Sequence, residues 1–104
     1  MNELKQLAER MGYEVICTES GRLAKYDGKM CVRKDGELLA YDPANNPVQC
    51  YELLEKFKME TRWWGNHLVW SAKPYSRNLC GEGNTIGEAV TACAIEIMKG
   101  ESDD

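Results

Sequence analysis

The chain contains one histidine, His67. Any Ser-His-Asp or Cys-His catalytic set would have to use it, and no G-x-S-x-G elbow is present to aim a serine. His67 therefore reads first as a surface residue beside a turn. No two of the five cysteines (Cys17, Cys31, Cys50, Cys80 and Cys93) lie at C-x-x-C spacing. A closed zinc site wants four Cys/His ligands, usually in close pairs, so no metal is expected. Their number is odd and no secretion signal is visible, so free buried thiols in a reducing cytoplasm are expected, with one cross-sheet disulfide as the alternative. No apolar run approaches the ~20 residues of a membrane span. Met1-Asn2-Glu3-Leu4 is not a basic region leading into an apolar stretch, so no secretory signal is expected and the expected location is cytoplasmic. No G-x-x-x-x-G-K-[ST] loop occurs, and Gly81-Glu82-Gly83 lacks the third glycine of a dinucleotide fingerprint. That segment is expected to be a loop entering a helix, able at most to hold an anion weakly. No cofactor is expected, and no paired carboxylates or nucleophile-base set mark the chain as an enzyme.

What remains is ordinary globular composition. The 104 residues are 43% hydrophobic and 29% charged, with a mean hydropathy of -0.53. This is the size of one domain and is enough to bury roughly two-thirds of the unfolded surface. Thirteen basic against seventeen acidic residues leave a net charge of -4. That balance disfavours direct nucleic-acid binding, which needs a basic face to displace counterions.

Leu4, Leu7, Ala8 and Met11 recur at i, i+3, i+4 and i+7 and predict a helix over 2–11, ended by Gly12. Residues 13–17 are β-prone. Two Asp-Gly pairs, Asp27-Gly28 and Asp35-Gly36, then separate strand-length segments at 22–26, 29–34 and 37–41. Asp-Gly supplies the two positive φ angles of a type I′ hairpin. The second turn sets Lys34 opposite Glu37 and Val32 opposite Leu39. Met30, Val32, Leu39 and Tyr41 are thus expected in the core.

Asn46-Pro47 is a helix start, with a capping Asn and Pro at the first helical position. It predicts a helix over 47–58 that buries Val48, Tyr51, Leu54 and Phe57, with Cys50 and Leu53 beside them. A hairpin is expected to reverse at Gly65-Asn66, pairing Trp64 with His67, Trp63 with Leu68 and Arg62 with Val69. Trp63, Leu68, Trp70 and Ala72 then share a covered face; Arg62, Trp64, His67 and Val69 share the other. Thr85-Ile86-Gly87-Glu88 is a capping box. It opens a helix that buries Ile86, Ala89, Val90, Cys93, Ala94 and Ile97 and closes at Lys99-Gly100, leaving 101–104 as an acidic tail. The expected architecture is α+β: three helices on a small, mostly antiparallel sheet, α/β/α sandwich-like, forming a single domain over 1–100.

The block Tyr41–Lys56, the tryptophan hairpin after it, Gly83-Asn84-Thr85-Ile86-Gly87-Glu88-Ala89-Val90 and the Ala-rich run Thr91-Ala92-Cys93-Ala94 together resemble the phage ABA-sandwich domain family of small phage and prophage proteins. Met11-Gly12-Tyr13 fits the same pattern. The Asp-Gly meander over 22–41 departs from it, being longer than the family's usual connection. The resemblance implies an α/β/α sandwich and a phage origin. It implies no activity and carries over no catalytic residues.

The candidate binding surface is Arg62, Trp64, His67, Tyr75 and Arg77. An outward tryptophan beside Arg and His has the composition of a protein hot spot, or of a plate for a nucleotide base. The reading favoured here is a non-enzymatic module that binds a host or phage protein, with an anti-defence role. The first alternative is a small-molecule or nucleotide sponge using Trp64, Tyr75 and Arg77. The second is a minor structural phage protein. A homodimer fits any of them, and no membrane association is expected.

Overall fold

Both Asp-Gly pairs form the turns their chemistry demands. Asp27 and Asp35 each take φ 54°, and Gly28 and Gly36 take 79° and 83°. Type I′ turns follow the right-handed twist of the strands they join. The computed structural model describes residues 3–75 and 79–102. The chain divides into two compact units, Met1–Asp42 and Pro43–Asp104.

In the first unit, α1 (Glu3–Arg10) precedes β1 (Glu14–Val15), β2 (Lys25–Tyr26), β3 (Lys29–Lys34) and β4 (Glu37–Tyr41). β4 pairs with β3 in the expected register, Lys34 opposite Glu37 and Val32 opposite Leu39. β1 and β2 both pair with β3, at Val15–Val32 and Lys25–Met30. They are shorter than the strands expected at 13–17 and 22–26. Between them the chain leaves the ladder in a small excursion, closed by a bridge between Cys17 and Leu23 and turned at Gly21, φ 83°. Ala8, Tyr13, Met30, Val32 and Tyr41 form the core, with Leu4, Met11 and Leu39 packed against it. Leu4, Ala8 and Met11 of the helix stripe therefore meet the four predicted core positions, and Leu7 is buried as expected. Tyr13 and Tyr41 lie 5.0 Å apart between ring centroids.

In the second unit, α2 (Pro47–Phe57) is followed by β5 (Met59–Trp64), β6 (Val69–Pro74), β7 (Gly81–Gly83) and α3 (Ile86–Ser102). The strands form an antiparallel sheet in the order β5-β6-β7. The Asn46 side chain accepts from the Val48 and Gln49 backbone N–H groups, 3.0 and 3.2 Å, so α2 starts where predicted. Its buried face differs from the predicted one. Gln49, Cys50 and Leu53 are buried, whereas Val48 is 69% and Tyr51 59% exposed. Apolar residues occupy two adjacent stripes of this helix, and periodicity alone does not say which stripe faces the core.

α3 buries Ala89, Val90, Cys93, Ala94 and Ile97, as its pattern requires. Ile86 instead lies exposed in the first turn, ahead of the part of the helix that crosses the sheet. The helix also continues through Gly100 to Ser102 rather than ending there. The fold class is α+β, three helices with antiparallel strands, and the strands form two sheets rather than one.

Candidate functional site

The tryptophan hairpin turns later than Gly65-Asn66 predicts. Trp64 pairs with Val69, Trp63 with Trp70 and Arg62 with Ser71, which leaves Gly65–Leu68 as a four-residue loop. Neither Gly65 nor Asn66 takes a positive φ; Leu68 does, at 54°. The His67 N–H donates to the Trp64 carbonyl at 3.1 Å. These are the parts of a loop built on a type I turn. The expected pairing is thus off by two residues, which preserves side-chain alternation. Trp63, Trp70 and Ala72 share one face, and Arg62, Trp64 and Val69 share the other, as predicted. Leu68 and His67 leave the strands: Leu68, expected on the covered face, is 70% exposed.

On the inner face, α3 lies so close to β7 that a Cβ at Gly81 would overlap the backbone of Cys93 and Ala89, and one at Gly83 would crowd Glu88 and Ala89. Gly81-Glu82-Gly83 is therefore a strand, not the loop expected from the sequence. Its glycines serve helix-to-strand packing, with Glu82 pointing the other way between them.

The outer face carries Glu60, Arg62 and Trp64 from β5, Val69, Ser71 and Lys73 from β6, and Glu82 from β7. The Trp64 indole is held in place. Its Nε1 donates to Ser71 Oγ at 2.8 Å, and the Arg62 guanidinium lies 5.2 Å from its ring centroid. The residue stays 43% exposed. Trp64, His67, Val69 and Glu82 line a cleft of about 430 Å³. Three of the expected surface residues, Arg62, Trp64 and His67, therefore gather at the loop end of the hairpin.

Tyr75 does not join them. It follows β6 at the far end, where its N–H donates to the Lys58 carbonyl at 3.0 Å. It lies six positions beyond Val69, roughly 20 Å of strand at the usual rise. The plate expected from Trp64 and Tyr75 together is not formed, because strand length holds the rings apart. Arg77 lies outside the described residues.

Sequence reasoning missed a second concavity of about 540 Å³ at the N-terminal ends of α2 and α3. Pro43, Pro47, Cys50, Tyr51, Leu54, Trp70 and Ile86 give it apolar walls. Several of its polar groups are already engaged. Thr85 Oγ1 caps the Glu88 N–H, Glu88 accepts from the Asn84 N–H, and the Tyr51 hydroxyl donates to Glu55. Gly87 permits the closure here, since a Cβ would overlap the Ala44 carbonyl. The exposed Tyr51 and Ile86 were the available signal, hidden because each fits a helical core stripe.

No group of three or more His, Cys, Asp or Glu able to hold a metal occurs among the described residues. Burial raises the Cys50 thiol pKa and pushes that of Cys93 up to about 11. No described helix is long and apolar enough to cross a membrane. Comparison with family models, curated proteins and solved structures yields no match.

Proposed function

We propose that the chain is a small non-enzymatic module of the phage ABA-sandwich type that binds a host protein in the host cytoplasm through the outer face of the β5–β6 hairpin. The observation that carries this is the exposed Trp64 ring, fixed by Ser71 and stacked with Arg62. Tryptophan and arginine dominate protein hot spots, and a side chain held in its binding orientation loses little entropy when a partner arrives. The adjoining concavity with His67 and Glu82 gives the partner a shaped seat with one donor-capable ring and one carboxylate.

The test is affinity capture from host lysate, comparing the native chain with Trp64→Ala and Arg62→Ala variants. One host protein is expected with the native chain and is lost or depleted at least tenfold with Trp64→Ala. Thermal unfolding checks that the variant remains folded. Equal recovery by a folded Trp64→Ala protein overturns the assignment to this face.

The apolar concavity near Tyr51 and Trp70 favours a second reading, a binder of a small apolar or aromatic molecule. Its volume lies within the usual range of ligand pockets. A thermal-shift screen separates the two readings, because a ligand raises the melting temperature by mass action. A nucleotide is the weaker candidate under this reading, since Trp64 and Tyr75 do not converge.

A further inference from the structure

β5 is an edge strand of its sheet, and Glu60 through Trp64 are all exposed. Which of its backbone groups face outward follows from one hydrogen bond. The Tyr75 N–H reaches the Lys58 carbonyl at 3.0 Å, in the same register as the β5–β6 ladder. Alternation then aims the N–H and C=O groups of Glu60, Arg62 and Trp64 at β6, and those of Met59, Thr61 and Trp63 away from it. Pro74 agrees with this phase: it stands opposite Met59, where the ladder requires no N–H. An unpaired edge of this length is a template for another strand.

We propose that β5 pairs antiparallel with β5 of a second copy of this chain, about a two-fold axis at Thr61. Thr61 then faces its own counterpart, and Met59 faces Trp63 on the inner side. All of these residues carry outward backbone groups, so each donates and accepts one bond across the junction. Glu60 faces Arg62 on the outer side, once in each half. That pair falls at the narrow, non-hydrogen-bonded spacing, where side chains approach most closely. The Glu60 carboxylate would sit between the Arg62 guanidinium of the other copy and Lys73, which is opposite Glu60 on β6.

Neighbouring registers fail on charge or on side-chain direction. A shift of two residues sets Glu60 against Glu60 in one direction and Arg62 against Arg62 in the other, placing like charges directly opposite. A shift of one residue sets inner side chains against outer ones. The strand is thus complementary to itself in one register, as a two-fold interface requires. This inference stands apart from the host-protein reading, because its readout is self-association of the purified chain alone.

Sedimentation equilibrium of the full chain, in reductant and from micromolar to millimolar concentration, tests it. The native chain is expected to dimerise. Thr61→Pro removes an outward N–H that the β5–β6 ladder does not use, and should weaken the dimer at least tenfold. Arg62→Glu turns both cross-copy attractions into repulsions and should do the same. Combining Glu60→Arg with Arg62→Glu should restore association to near the native level. If Thr61→Pro fails to fold by thermal unfolding, the charge variants decide alone. A native chain that stays monomeric overturns the proposal. So does a dimer that persists in folded Thr61→Pro, or a double variant no tighter than Arg62→Glu; the free edge would then belong to an extended segment of some other protein, or the contact to another face.

Discussion

At the scale of single residues, the cysteines separate by burial. Cys17 and Cys80 are exposed, while Cys31, Cys50 and Cys93 are buried, and all five are free. Cys93 is fully buried on the face of α3 that meets β7. Burial is the main cause of its raised pKa, about 11; the Gly81 backbone opposes the shift, and Cys80 and Glu96 add to it. Well below pH 9 the thiol is protonated in both the folded and unfolded chain and contributes no pH dependence. Between pH 9 and 11 the unfolded thiol ionises while the folded one stays neutral. The unfolded chain then binds fewer protons, so stability falls as pH rises, by at most about 2–3 kcal/mol. Urea unfolding below pH 9 and near pH 11 should show this loss, with a shallower loss in Cys93→Ala. A thiol reagent at neutral pH should label Cys17 and Cys80 and spare Cys93 until the chain unfolds. Rapid labelling of Cys93 in the folded chain would contradict its burial.

At the scale of elements, the loop between β5 and β6 offers a sharp test because Leu68 is a poor residue for its place. A β-carbon in the left-handed region costs roughly 1–2 kcal/mol, and Leu68, 70% exposed, buries little in return. Asparagine tolerates that region better. Leu68→Asn should therefore leave stability unchanged or raise it by about 0.5 kcal/mol in chemical denaturation. If the hairpin instead turned at Gly65-Asn66, Leu68 would be a strand residue on the covered face, and the same change would destabilise. The comparison with the Asp-Gly turns shows what local sequence encodes. Asp27-Gly28 and Asp35-Gly36 each put a glycine at the second turn position, where a positive φ is free of cost, so those turns and the β3–β4 register were legible. Gly65-Asn66 reverses that order, and a type I turn competes. The faces of β5 and β6 were still legible, because a two-residue slip leaves alternation intact. α2 was legible at its cap and not in its rotation, since Val48 and Tyr51 are as apolar as the residues beside them that were buried. β7 was not legible at all: two glycines in a short segment look like a loop until α3 is seen pressed against them. The candidate surface followed the same rule, with Arg62 and Trp64 predicted by alternation and Tyr75 misplaced because the strand's full length was not.

At the scale of the whole molecule, the two units differ in what each can support alone. Met1–Asp42 gathers its core from one short helix and a meander, around Ala8, Tyr13, Met30, Val32 and Tyr41. Pro43–Asp104 joins its sheet to two longer helices, both capped by side chains at their N-termini, and Leu53, Ala72, Val90, Cys93 and Ile97 are buried in the intact chain. The surface a chain buries grows faster than its length, and folding alone becomes rare below about 40 residues without disulfides or metals. The first unit lies at that limit, and its cysteines, Cys17 and Cys31, are unbridged. A fragment of residues 43–104 should therefore keep helical circular dichroism and a cooperative, if lowered, thermal transition. A fragment of residues 1–42 should show no cooperative transition. Neither the size nor the composition of the intact chain distinguishes these behaviours; the capped helices and the glycine-mediated packing of α3 on β7 do. Loss of cooperative unfolding in the 43–104 fragment would mean that its core depends on the first 42 residues, and that the hairpin surface is rigid only in the intact chain.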